Sequence, residues 1–176
     1  VSYQGYDYAT VLIGEQCWFA ENLRSGHYEN GDAIPLNLTD SEWQNTDSGT
    51  SGAMAVFGGG QGSVCFGNSP DIYACDPNQS LDEYGRLYNW YGVDGARGLC
   101  PSGWHVPADG EWTVMTDHLG GAIVAGGQMK TTYGWSNGGN GTNSSGFSGL
   151  PGGARSSSGS FNVAGDYGYW WSSSPL

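Results

Sequence analysis

Three histidines, four cysteines, seventeen carboxylates and an Asn-rich loop are the groups through which this chain of 176 residues could act chemically. Nucleophilic catalysis needs a serine or cysteine beside a base, and an acid to orient that base. His105 lies between Trp104 and Val106, a setting for a structural hydrogen bond. His118 falls in the last turn of an expected helix, where a cation suits the dipole. His27 sits in a loop and carries no signal. Paired carboxylates would serve glycoside hydrolysis. Asp109 with Glu111, and Asp82 with Glu83, are each explained first by helix N-termini, which draw negative charge. The residues therefore point away from an enzyme, with an acid-dependent hydrolase using Asp109, Glu111 and Asp166 as the least favoured of three readings.

Calcium fits the polar groups better. Hard cations take about six to eight oxygens from carboxylates, Asn side chains and carbonyls. The segment NGGNGTNSSG (137–146) offers such oxygens, so Asn140, Asn143 and Asp166 form a candidate calcium set. The segment itself holds no carboxylate and has no EF-hand spacing, and a turn network capped by Asn and Ser is the competing reading. Carbohydrate binding would use exposed aromatic rings stacked on sugar faces. Trp43, Trp135, Tyr133 and Tyr167 are the candidates, whereas Trp104, Trp112, Trp170 and Trp171 lie in motifs that read as core.

The cysteines stand at 17, 65, 75 and 100. Without a CxxC pair, and with scattered histidines, they do not read as a zinc site. An even count among turn-rich segments suggests two disulfides and an oxidising compartment. Cys65–Cys75 would close a short loop, which leaves Cys17–Cys100; the other connectivities and free thiols stay open.

Elements must position these groups. The clearest is a helix from about Ala108 to His118, led in by Pro107, with Asp109 and Glu111 on its first turn. Trp112, Met115 and Leu119 give it one apolar stripe, and Gly120-Gly121 stops it. A second helix is expected over 81–96, weakened by Gly85. Val1 to Gly14 reads as a hairpin around Gly5, Gln128 to Gly134 as a strand, and 160–174 as ending in a strand. Arg24 to Gly62 reads as loop, and the Gly, Ser and Asn stretch 135–159 as an ordered, hydrogen-bonded loop punctuated by Trp135, Phe147 and Leu150.

Thirty-two glycines and twenty-four aromatics (eight Trp, eleven Tyr, five Phe) imply one domain with a Trp and Tyr core. A net charge of −12 argues against nucleic acid and anionic membrane surfaces. No apolar run is long enough for a membrane-spanning helix.

Six ordered motifs carry a family resemblance: IGEQCWFAENLR (13–24), YGRLYNWYGV (84–93), CPSGWHVPADGEW (100–112), LGG (119–121), NGTNSSGFSGLPGGAR (140–155) and GDYGYWWSSS (165–174). Together they resemble the Fibrobacter succinogenes major paralogous domain. That family occurs on bacterial secreted and surface proteins and is similar to the formylglycine-generating-enzyme branch of the C-type lectin-like fold. The resemblance implies an α+β domain, with two short helices around small antiparallel sheets and long Gly-rich loops. Formylglycine-generating activity depends on a late cysteine pair, which is missing after Cys100, so it is not carried over. Ala108 stands where the family places a Ser or Thr cap, leaving Asp109 to cap. Family members also continue past the WWSSS motif with closing strands and often a terminal Cys. The chain is therefore expected to be a fragment, or to have its sheet completed by a strand from another chain.

The reading that follows is a non-catalytic extracellular module for adhesion or surface assembly, its partners being other surface proteins or copies of itself in a filament. A calcium-dependent carbohydrate-binding module is the alternative, with a polysaccharide partner.

Overall fold

Turn residues decide the first elements of the structure, a computed structural model that describes residues 1–60 and 63–175. β1 (Ser2–Tyr3) and β2 (Tyr6–Asp7) pair across Gln4 and Gly5, whose φ angles of +48° and +79° are what a tight hairpin turn demands. β3 (Thr10–Ile13) and β4 (Gln16–Phe19) form a second hairpin, with Gly14 at φ +62°. The single hairpin expected over Val1–Gly14 is thus two hairpins in succession.

α1 (Asp40–Gly49) lies inside the stretch read as loop. Its start is a capping box: the Thr39 hydroxyl accepts from the Glu42 amide, and the Glu42 carboxylate accepts from the Thr39 amide. β5 (Met54–Ala55) and β6 (Cys65–Gly67) follow. The helix expected over 81–96 is broken into α2 (Pro77–Tyr84), β7 (Leu87–Tyr88) and α3 (Trp90–Val93). Gly85 is the cause. It sits at φ +70°, with the Leu23 carbonyl only 3.0 Å from where a Cβ would be, so only glycine fits there without strain.

α4 (Asp109–His118) lies where the pattern predicts, with Met115 and Leu119 buried and Trp112 packed beside them. Its cap is different. Ala108 offers no side-chain oxygen; Glu111 accepts from the Ala108 amide at 2.8 Å, and Ser174 Oγ accepts from the Asp109 amide at 3.0 Å. The hydroxyl that normally precedes a helix comes here from the far end of the chain. α5 (Ala122–Met129) occupies part of the stretch read as a strand. Its final carbonyls need donors from outside the helix. The amides of Thr142 and Ser145 reach Gly127 and Gln128, and the Gly149 amide reaches Met129. The Gly- and Asn-rich loop is therefore ordered because it completes a helix end. β8 (Ala154–Arg155) and β9 (Phe161–Ala164) are the last strands, and residues 165–175 run as turns and irregular chain instead of the expected strand.

The sheets are small: β1–β2, β3–β4, β5–β7, and a three-stranded sheet in the order β6–β9–β8, with β6 parallel to β9. The fold is α+β. Three hydrophobic clusters share the core. One joins Trp43, Phe57, Tyr84 and Phe161; a second joins Ile13, Trp18, Met115 and Phe147; a third joins Tyr28, Ile34, Met54 and Leu99. Among the described residues, no helix is long and apolar enough to cross a membrane.

Candidate functional site

β4 alternates as a half-buried strand should. Trp18 turns into the core, so its neighbours Cys17 and Phe19 turn the other way. The register of the hairpin also fixes its hydrogen bonds. Val11 lies opposite Trp18, Ile13 opposite Gln16, and the Ala20 amide donates to Ala9. Alternation of bonded and non-bonded pairs then leaves the amides and carbonyls of Cys17 and Phe19 pointing outward, away from β3.

That free edge forms one wall of an open groove of about 860 Å³. Trp104, whose ring stacks on Phe19 at 4.5 Å, continues the wall, and Leu87, Tyr88, Trp170 and Trp171 line it further round. The segment 170–174 is strapped across by single bonds. Trp170 Nε1 donates to Asn22 Oδ1 at 3.2 Å, Trp171 Nε1 to the Tyr88 carbonyl at 2.7 Å, and the Ser173 amide to the Pro107 carbonyl at 2.9 Å. Five buried polar atoms of groove-lining residues, Gln16 Oε1, Trp18 Nε1, Tyr84 Oη, Arg86 Nη1 and Arg155 Nη1, have no hydrogen-bond partner. A buried unpaired donor or acceptor costs its full desolvation, so these atoms are a local cost of the fold beneath the groove.

Both free cysteines line this groove. The Cys65–Cys75 disulfide forms, with the two Cα atoms 5.9 Å apart, but Cys17 and Cys100 are unbonded. Strand alternation turns the Cys17 thiol outward to solvent. Cys100 lies deeper, where burial and then the Glu29 charge push its thiol up to about 11. The second disulfide expected from the sequence is therefore not part of the fold.

The other expected site residues are dispersed. Trp43 and Trp135 are buried, not available to stack on a sugar. The Arg155 guanidinium covers Trp43 at 4.5 Å, and the Trp135 indole donates to Thr131 Oγ1 and the Gly149 carbonyl. Tyr133 and Tyr167 are exposed, the latter stacked on Tyr169. Conversely Trp170 and Trp171, which read as core, are 38% and 45% exposed. The calcium set does not assemble. Asn140 Oδ1 accepts from the Trp135 amide, Asn143 Oδ1 from the Ser148 amide, and Asp166 Oδ2 from Asn68 Nδ2, each bond an internal turn or loop clasp. Among the described residues, no three His, Cys, Asp or Glu side chains gather as metal ligands.

His105 is paired through Nε2 with both Glu111 oxygens, at 2.8 and 3.0 Å, on the groove's rim. The Ala108 amide, and after it His105, hold the Glu111 carboxyl below the usual range. Half-buried Tyr88 is raised well above an ordinary phenol by desolvation of its hydroxyl, which donates to the Ser25 carbonyl. Of the groove residues, Phe19 and Tyr88 carry no chemical signal in the sequence, and Cys17 reads there only as a disulfide partner. The alternation within QCWF around an inward Trp was the available signal.

Compared with family models, residues 11–176 match the one described as Fibrobacter succinogenes major domain. No curated protein and no solved structure matches the chain.

Proposed function

We propose, for a chain that belongs to the Fibrobacter succinogenes major domain family, a non-catalytic extracellular module for adhesion or surface assembly with a C-type-lectin-like fold. The observation that carries the reading is the groove with a free strand edge as one wall. Its occupant is an extended segment of a partner protein, added as a strand to β4 with its alternate side chains set among Phe19, Trp104 and Trp171. An extracellular setting agrees with the Cys65–Cys75 bond, since disulfides persist in oxidising compartments. A net charge of −12 opposes close packing of two copies and favours a segment that carries Lys or Arg beside apolar residues.

The test uses synthetic peptides of about ten residues, a strand's length, alternating Val or Phe with Lys in one series and with Glu in another. Tryptophan emission reports uptake. The Lys series should bind about tenfold or more tighter than the Glu series. Cys17→Pro removes an outward N–H together with the thiol, which an edge strand tolerates, so it should leave the fold intact and abolish binding. Failure of both series to bind, or binding untouched by Cys17→Pro, would remove the strand-addition reading. Concentration-dependent sedimentation without peptide would instead make a second copy the occupant.

A further inference from the structure

A second, smaller cavity of about 320 Å³ is lined by Glu21, Asn22, Arg24, Glu83, Tyr133 and Asn143, among others. Its chemistry differs from that of the groove. Glu21 is held in place, accepting from the Tyr6 hydroxyl and from the Ala9 amide at 2.9 Å. Arg24 lies over the Tyr6 ring at 4.5 Å and donates through Nη2 to the Asp82 carbonyl, but its Nε is buried without a partner. Glu83 Oε1 is also buried without a partner. Asn143 is locked by two bonds to Ser148. Tyr133 is 47% exposed, and burial together with Glu83 and Asp71 raises its phenol, which keeps it a neutral donor.

Carboxylates, a guanidinium and a half-exposed aromatic ring lining one small cavity match the surface of a pyranose ring. Adjacent hydroxyls both donate and accept, and the ring's C–H face stacks on an aromatic side chain. The volume lies at the lower end of small-molecule pockets, enough for a single ring. Glu21, Asp82 and Glu83 outnumber Arg24, so an acidic sugar is repelled. We propose that this cavity binds one neutral sugar residue without a metal ion, with Tyr133 stacked on its face and Glu83 and Arg24 bonded to neighbouring hydroxyls. The cavity adjoins the groove through Glu21, Asn22, Ser148 and Leu150 but includes neither Cys17 nor Phe19, and Thr132 and Tyr133 line it alone, so either reading can fail without the other.

Amide NMR of the whole chain, titrated with methyl glucoside, mannoside and galactoside in the presence of EDTA, tests it. At least one should saturate with a Kd in the millimolar range, shifting amides of Glu83, Thr132 and Tyr133, which line the cavity and not the groove. The methyl glucuronide should bind about tenfold more weakly. Tyr133→Ala should lose about tenfold in affinity at an unchanged thermal midpoint, while Tyr133→Phe, which keeps the ring, retains most of it. The proposal is overturned if none of the three sugars shifts these amides up to roughly a hundred millimolar. It is equally overturned if the glucuronide binds as well as the neutral sugars, if Tyr133→Ala changes nothing, or if the shifts gather on the groove.

Discussion

Trp43 and Trp171 both line the groove, yet one is 5% exposed and the other 45%. Trp43 sits on α1 among polar neighbours. It is covered from outside its own segment by Arg155, which also lies over Phe161 at 4.9 Å. Arg155 bonds the Leu38 and Gly159 carbonyls, Asp40 Oδ1 and Ser63 Oγ, and its side chain is 1% exposed. Trp171 belongs to an aromatic run and is held by its indole bond to the Tyr88 carbonyl, by the Trp112 indole on its own carbonyl and by a tilted contact with Trp90 at 5.7 Å. Local sequence would rank the two the other way. Burial of a tryptophan is decided by what the fold brings over its second face, which leaves one region as core and the other as an open contact surface.

Core substitutions should separate the two regions most strongly. Phe161→Ala, at a fully buried position, should lower the unfolding free energy by about 4 kcal/mol. Urea titration measures it, and a loss below about 1 kcal/mol would erase the contrast. Arg155→Met leaves the Leu38 and Gly159 carbonyls without their side-chain donor and Asp40 with only the Ser63 hydroxyl, and should cost about 3 kcal/mol in the same assay. Reduction of Cys65–Cys75, which are ten residues apart in sequence, should cost about 2.5 kcal/mol from loop closure. With a reductant present the thermal midpoint should therefore fall by about 5–10 °C. Trp171→Ala, on the open side, should cost about 1 kcal/mol or less while removing peptide uptake. A cost as large as that of Phe161→Ala would make the strap part of the core.

The smallest effect is acidic. The folded Glu111 carboxyl is held below its unfolded value by the Ala108 amide and His105, so it adds stability above about pH 4.3, the ordinary glutamate value. That contribution is lost as pH falls through the lowered folded value. Thermal midpoints should thus drop on acidification below about pH 4.3, and less so in Glu111→Gln. An equal drop in both would detach the α4 cap from the acid sensitivity.

Much of the fold was legible where the signal is local. The helix at α4 follows from Pro107, the acidic first turn, the Trp112–Met115–Leu119 stripe and the terminal glycines. The Cys65–Cys75 loop follows from chain proximity. α1 was legible and overlooked, because its T-x-x-E box lies among polar residues with no apolar stripe. Within 81–96 the helical spacing of Leu81, Tyr84 and Tyr88 outweighed Gly85 on paper. The Leu23 carbonyl reversed that, through an approach that no spacing within the segment reveals.

The candidate sites were less legible. Tyr133 and Asn143 were named for different ligands and lie in one cavity, joined by Glu83 and Arg24 from other segments. Cys17 and Cys100 were paired on paper, but strand alternation sends one outward and burial holds the other. The sequence by itself determined the family, the α+β class, the acidic charge, the first disulfide and the α4 helix, because composition, ordered motifs and short-range spacing act within a few residues. Only the tertiary structure decided which tryptophans are core, where the helix α4 finds its capping hydroxyl, and which edge of β4 stays open. Those outcomes depend on contacts between residues far apart in the chain, such as Ser174 with Asp109 and Arg155 with Trp43, and no local pattern encodes which distant partner arrives.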